Sequence, residues 1–161
     1  MTKLRVVKFT YNAQGCSLAN LGKPLYDEDI EAWKHGPVTP SVYGALSSYK
    51  EREAIKKTVG RYSKDVFSPE QISLLRDVAV KYGRFTTGTL VAVSHFPNGP
   101  WSKVYDEKRR HIKISKESIR EYFSQNEPLD GFDLDRVLKF MKPLGPSDPE
   151  GNTILPADFD D

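Results

Sequence analysis

Apolar residues recur at helical spacing in several stretches of this chain, and most of these carry a start or stop signal. Leu4, Val7, Tyr11 and Leu18 fall near one face of a helix that begins after Thr2 and runs to about Asn20. Gly15 inside that helix costs about 1 kcal/mol relative to alanine, so its presence predicts close packing against a neighbour. Gly22, just past the helix, suits the left-handed conformation of a C-terminal cap. Leu25-Tyr26 and Ile30 to Lys34 read as short extended segments, joined in a small hairpin about Asp27-Glu28-Asp29.

Thr39-Pro40 supplies an N-cap followed by proline at the first helical position, and predicts a helix through Tyr43 and Leu46. From Ser47 to Asp65 the chain is charged and weakly periodic, as in a long loop or a mobile helix end. Ser68-Pro69-Glu70-Gln71 has the form of a capping box, and Ile72, Leu75, Val78, Ala79 and Tyr82 follow at helical spacing up to Gly83. Thr86 or Thr87 starts a short apolar helix through Leu90, Val91 and Val93. Ile112 and Ile114 alternate with polar residues as in a brief strand, and Ser115 caps a helix carrying Ile119, Tyr122 and Phe123. Leu134, Val137, Leu138 and Met141 predict one more short helix. The expected fold is α+β, a mainly helical single domain with a small β-hairpin or short sheet.

Composition narrows the class. A chain of 161 residues with 38% hydrophobic residues has room for one ordinary core and a share of surface or tail. No stretch approaches the roughly 20 apolar residues of a membrane span, and the start of the chain lacks a signal-peptide core. The single cysteine, Cys16, suits a reducing compartment, so a cytoplasmic protein is expected. The net charge of +2 hides an uneven distribution. Lys50, Arg52, Lys56, Lys57, Arg61 and Lys64 form one basic run, and Lys108, Arg109, Arg110, His111 and Lys113 a denser one. From Asp148 onward the charged residues are all acidic.

Candidate chemistry is sparse. Three histidines lie far apart and no metal-binding spacing occurs, so no metal or cofactor is expected. No glycine-rich phosphate loop is present. A Cys16 nucleophile paired with His35 or His95 lacks any local cause for a depressed thiol pKa, and a structural cysteine is the preferred reading. The basic runs suit an acidic protein partner as readily as nucleic acid, and no nucleic-acid-binding signature accompanies them. Two runs remain. Ile30 to Ser41 and His95 to Trp101 each join a histidine, a Gly-Pro pair and a tryptophan, and they hold both tryptophans of the chain. Either they set the fold or they form a site.

The same residues resemble a known family. Lys3-Leu4, Tyr11-Asn12-Ala13-Gln14-Gly15 and Gly22-Lys23-Pro24-Leu25 look like the opening helix and turn of the Panacea domain. Glu31-Ala32-Trp33-Lys34-His35-Gly36-Pro37-Val38-Thr39-Pro40-Ser41-Val42-Tyr43 is similar to its most distinctive motif. Ser94-His95 with Gly99-Pro100-Trp101 resembles its later motif, and Ile119 to Phe123 its closing helix. Two features depart from the pattern: family members usually carry a further helix before the Lys3-Leu4 position, and Cys16 stands where they have an aromatic residue.

The resemblance implies a SocA/GepA-like, phage-associated antitoxin without catalysis. Such a protein neutralises a cognate toxin, encoded by an adjacent gene, by direct contact; one type of member delivers its toxin to a protease. On that reading residues 1–126 are the Panacea-like domain, 127–147 a helical extension and 148–161 an acidic, disordered tail. Gln14, Lys34, His35 and Trp101 are the partner-binding candidates. Alternatives from other classes are a prophage-encoded protein that binds a host factor or nucleic acid, and a hydrolase built on His35 or His95.

Overall fold

Helix α1, Lys3–Asn20, is the element around which the others are arranged in the computed structural model, which describes residues 1–50, 53–60 and 63–125. It is followed by strands β1 (Ile30–Trp33) and β2 (Gly36–Val38) and the short helix α2 (Pro40–Ala45). Helices α3 (Pro69–Tyr82) and α4 (Thr87–Ser94), strand β3 (Lys113–Ile114) and helix α5 (Lys116–Gln125) complete the described fold. It is mainly helical, with a three-stranded antiparallel sheet in the order β2-β1-β3. The helix expected around Leu134 to Met141, the boundary at residue 126 and the acidic segment 148–161 lie outside the described residues.

The expectation of one apolar face on α1 needs correction. Twelve of its residues, from Lys3 to Leu18, are buried, and they point in every direction around the axis. Helices α3, α4 and α5 and strand β2 all pack against it. Encirclement forces polar side chains inside, and a buried polar group must find a partner. Asn12 bonds back to the Lys8 carbonyl within the helix, whereas Ser17, Gln14 and Lys8 reach the backbone of the segments that follow. Ser17 donates from Oγ to the Lys23 carbonyl (2.8 Å). Gln14 donates from Nε2 to the Tyr26 carbonyl (2.8 Å), and its Oε1 accepts from the Leu25 amide (2.7 Å).

That grip on Leu25 and Tyr26 also explains why they are not a strand. The hairpin does not turn at Asp27-Glu28-Asp29. Its strands pair Glu31 with Val38, Ala32 with Pro37 and Trp33 with Gly36, so the two-residue turn is Lys34-His35. On its other edge β1 pairs Ile30 with Ile114 and Glu31 with Lys113.

Several local signals have their predicted consequence. Gly15 lies where a Cβ would sit 2.5 Å from the Phe123 ring, so its absence lets α5 approach α1. Gly22 has φ 67. Ser68 and Gln71 form the reciprocal capping box at the start of α3. Its inward stripe is Leu74, Val78 and Tyr82, an i, i+4, i+8 row, while Ala79 faces solvent. The Thr86 hydroxyl caps α4 by accepting from the Thr89 amide (3.1 Å). Between α2 and α3 the described residues form no helix longer than the 3-10 turn Lys64–Val66. Among the described residues, no helix is long and apolar enough to cross a membrane.

Candidate partner-binding face

The turn of the hairpin rests on a buried amine. Lys8 leaves α1 among Val6, Val7 and Phe9 and is wholly buried. Its Nζ donates to the carbonyls of His35 (2.6 Å) and Pro37 (3.2 Å). Burial pushes the amine down to about 7. A neutral amine has two N–H groups and can still make both bonds, so the contact survives in either protonation state. Gly36 is the residue this arrangement requires. Its φ is 102, which L side chains rarely adopt, and a Cβ there would lie 2.5 Å from Lys8 Nζ and 2.6 Å from Ser94 Oγ.

The two tryptophan runs meet at this turn. Trp101 donates from Nε1 to the Trp33 carbonyl (2.8 Å), joining residues 68 positions apart. The Trp101 ring is stacked on Tyr105, with centroids 4.5 Å apart, and packs at 4.1 Å against His95. His95 Nδ1 donates to the Val91 carbonyl (2.7 Å), and Nε2 lies 3.5 Å from the Lys34 carbonyl. Burial lowers the His95 pKa, assisted by Lys8 and opposed by these carbonyls. The second run thus clamps the first from outside the sheet.

Trp33 itself faces the other way. Its Nε1 donates to Glu31 Oε2 (2.8 Å), and its ring meets Tyr43 edge to face at 5.0 Å. The Lys3 ammonium sits 3.7 Å over the Tyr43 ring centre, a cation–π contact. Glu31 also accepts from His111 Nδ1 (2.9 Å). Trp33, Tyr43 and Tyr105 form the aromatic part of a cleft of about 410 Å³, Lys34, Glu107, Arg109 and Arg110 its charged part, and His111 lines it beside them.

The four candidates have different positions. Lys34 is exposed at the turn and lines the cleft; His35, beside it, is half-buried and gives its carbonyl to Lys8. Trp101 is half-buried, one step behind the cleft. Gln14 is fully buried with both ends of its amide bonded to the loop at Leu25 and Tyr26, so it reaches a surface only through the loop it holds. Sequence reasoning missed Lys8, Tyr43 and Tyr105. The signal for Lys8 was a lone charge inside the apolar run Val6-Val7-Lys8-Phe9. Nothing in the linear order signals that Arg109, Arg110 and His111 fold beside Trp33.

Reactive groups are subdued. Cys16 is fully buried with its Sγ 4.0 Å from the Tyr82 hydroxyl, and burial pushes the thiol up to about 11, away from nucleophilic chemistry. Among the described residues no group of three His, Cys, Asp or Glu side chains is placed to hold a metal ion.

The family described as "Antitoxin SocA-like, Panacea domain" matches residues 6–102. Antitoxin SocA from Caulobacter vibrioides (strain NA1000 / CB15N) is 35% identical over 112 residues, which cover 65% of this chain and 60% of that protein. No solved structure matches the chain significantly. Lys8, Gln14, the Lys34-His35 turn, Gly36 and Trp101 fall inside the matched range; Arg109, Arg110 and His111 fall beyond it.

Proposed function

Because the chain belongs to the SocA-like antitoxin family with the Panacea domain, we propose that it neutralises a cognate toxin by direct protein contact at the face around the Lys34-His35 turn. The observation that carries this reading is the open cleft beside the turn, where Trp33, Tyr43 and Tyr105 lie against Lys34, Arg109 and Arg110. Tryptophan, tyrosine and arginine are the residues that most often dominate the energy of protein interfaces. Lys8 and Trp101 hold the turn from beneath and behind, so the contact surface is preorganised and little ordering is needed on binding.

Neutralisation by contact needs no reaction, and the buried Cys16 offers no competing one. The test is co-expression with the toxin-like product of an adjacent reading frame. Growth should be rescued by the intact chain and the two proteins should co-purify; a toxic neighbour left unrescued would end this reading. Delivery of the bound toxin to a protease is the finer form of the proposal. It requires the toxin's half-life in cells to shorten when this chain is present, whereas simple masking leaves it unchanged or longer.

A further inference from the structure

We propose that the cleft beside the hairpin turn receives an acidic segment of the protein partner, with an aromatic side chain against Trp33 and Tyr43 and carboxylates on Arg109 and Arg110. The inference rests on the reading that this face meets a toxin, and it adds the chemistry of the segment that is gripped.

The charge around the cleft is unevenly balanced. Lys113 pairs with Asp29 (2.6 Å), and Lys116 lies 3.8 Å from Asp27. By contrast, Arg109 and Arg110 are exposed, and among the described residues their side chains have no assigned hydrogen bond or ion pair. The nearby Glu31 carboxylate is engaged elsewhere, its Oε2 accepting from both Trp33 and His111. Glu107 is the one acidic residue among those lining the cleft, against Lys34, Arg109 and Arg110. Two guanidinium groups therefore stand at the mouth of an aromatic cleft, able to take carboxylates in paired hydrogen bonds.

The backbone fixes that placement. His111 has φ 56, a left-handed conformation that a non-glycine residue holds at a cost of about 1 kcal/mol or more. Its bond to Glu31 anchors the end of the arginine segment to β1. Ring geometry selects a side chain rather than a flat nucleobase. Trp33 and Tyr43 cross at 63°, and Tyr105 already stacks on Trp101, so the cleft has no pair of parallel free faces. A phenyl or phenol ring flanked by carboxylates matches both features.

The experiment is fluorescence anisotropy on the full chain, with a labelled peptide of alternating aspartate and phenylalanine residues as probe. Binding should weaken at least about tenfold when asparagine replaces aspartate in the probe, when serine replaces phenylalanine, or in the double variant Arg109→Glu/Arg110→Glu. The control variant Lys56→Glu/Lys57→Glu, in the other basic run, should bind as the unaltered protein does. Equal binding of all probes, equal loss in the control variant, or displacement of the peptide by adenosine monophosphate would overturn the assignment. Co-expression separates the two readings. If Arg109→Glu/Arg110→Glu rescues growth as well as the unaltered chain, the cleft assignment fails and the antitoxin reading stands. If the probe behaves as expected but no neighbouring toxin is neutralised, the antitoxin reading fails and the acidic-peptide cleft stands.

Discussion

In the first tryptophan run Gly36 has φ 102, and Lys8 and Ser94 occupy the space of its missing Cβ; Gly99 in the second run has an ordinary φ, and a Cβ there would meet the Phe96 carbonyl at 3.0 Å and the Tyr122 ring at an ordinary 3.7 Å. The tryptophans differ in the same sense. Trp101 turns its indole N–H inward to the Trp33 carbonyl, whereas Trp33 turns its own outward to Glu31 at the edge of the cleft. Two stretches that share a histidine, a Gly-Pro pair and a tryptophan therefore act differently. The first makes a turn and displays its ring, and the second braces that turn. The lesson is that a repeated motif need not be a repeated role, because backbone conformation and the direction of one N–H separate them.

The sharpest way to break the comparison is to add a methyl group to each glycine. Gly36→Ala should cost about 3 kcal/mol, since strain at positive φ adds to displacement of Lys8 and Ser94. Gly99→Ala should cost only about 1 kcal/mol, because it adds one tight contact and no strain at positive φ. Urea midpoints with unchanged m-values would measure both. Equal losses at the two positions would remove the distinction drawn between the runs.

The amine under the turn gives a test through pH. The folded Lys8 pKa of about 7 lies below the 10.5 of an ordinary lysine, so between these values the unfolded chain binds the extra proton. Stability from this group therefore rises as pH rises through that window and is lost as pH falls. Cys16, pushed up to about 11 from 9.0, acts oppositely above pH 9, so the clean range is pH 7 to 9. Over it Lys8 should contribute a rise of about 2 kcal/mol. Lys8→Met should remove most of that slope in denaturant melts taken at each pH. An unchanged slope would show that the amine stays charged beneath the turn.

Much of the fold was legible because its signals are local. The capping box at Ser68, the cap at Thr86 and the close approach permitted by Gly15 depend on residues a turn apart or on one missing side chain. What was not legible depends on encirclement. A helix buried on every side has no polar face to reveal its orientation, so Gln14 reads as a partner contact and Lys8 draws no notice, although both bind the backbone of the hairpin and its approach. The turn was misplaced for the same reason: Gln14 satisfies Leu25 and Tyr26, removing them from the sheet. Of the residues around the cleft, sequence reading singled out Lys34, His35, both tryptophans and the basic cluster at Lys108 to Lys113. It could not bring the cluster to the turn, because the pairing of β1 with β3 does that across some 80 residues.

The smallest expected effect separates bracing from display most directly. Trp101→Phe keeps an aromatic ring but deletes the donor to the Trp33 carbonyl, and should cost about 1 to 2 kcal/mol in stability. Trp33→Phe deletes a bond to Glu31, which still accepts from His111, so its stability cost should stay below about 1 kcal/mol. Binding should rank them in reverse. Trp33→Phe alters a ring that lines the cleft and should weaken capture of the toxin or of the acidic probe by a larger factor than Trp101→Phe, measured where both variants are fully folded. If Trp101→Phe lost more affinity at matched folding, the second run would be a contact surface in its own right. The cleft would then have to be redrawn to include the face that Trp101 shares with Tyr105.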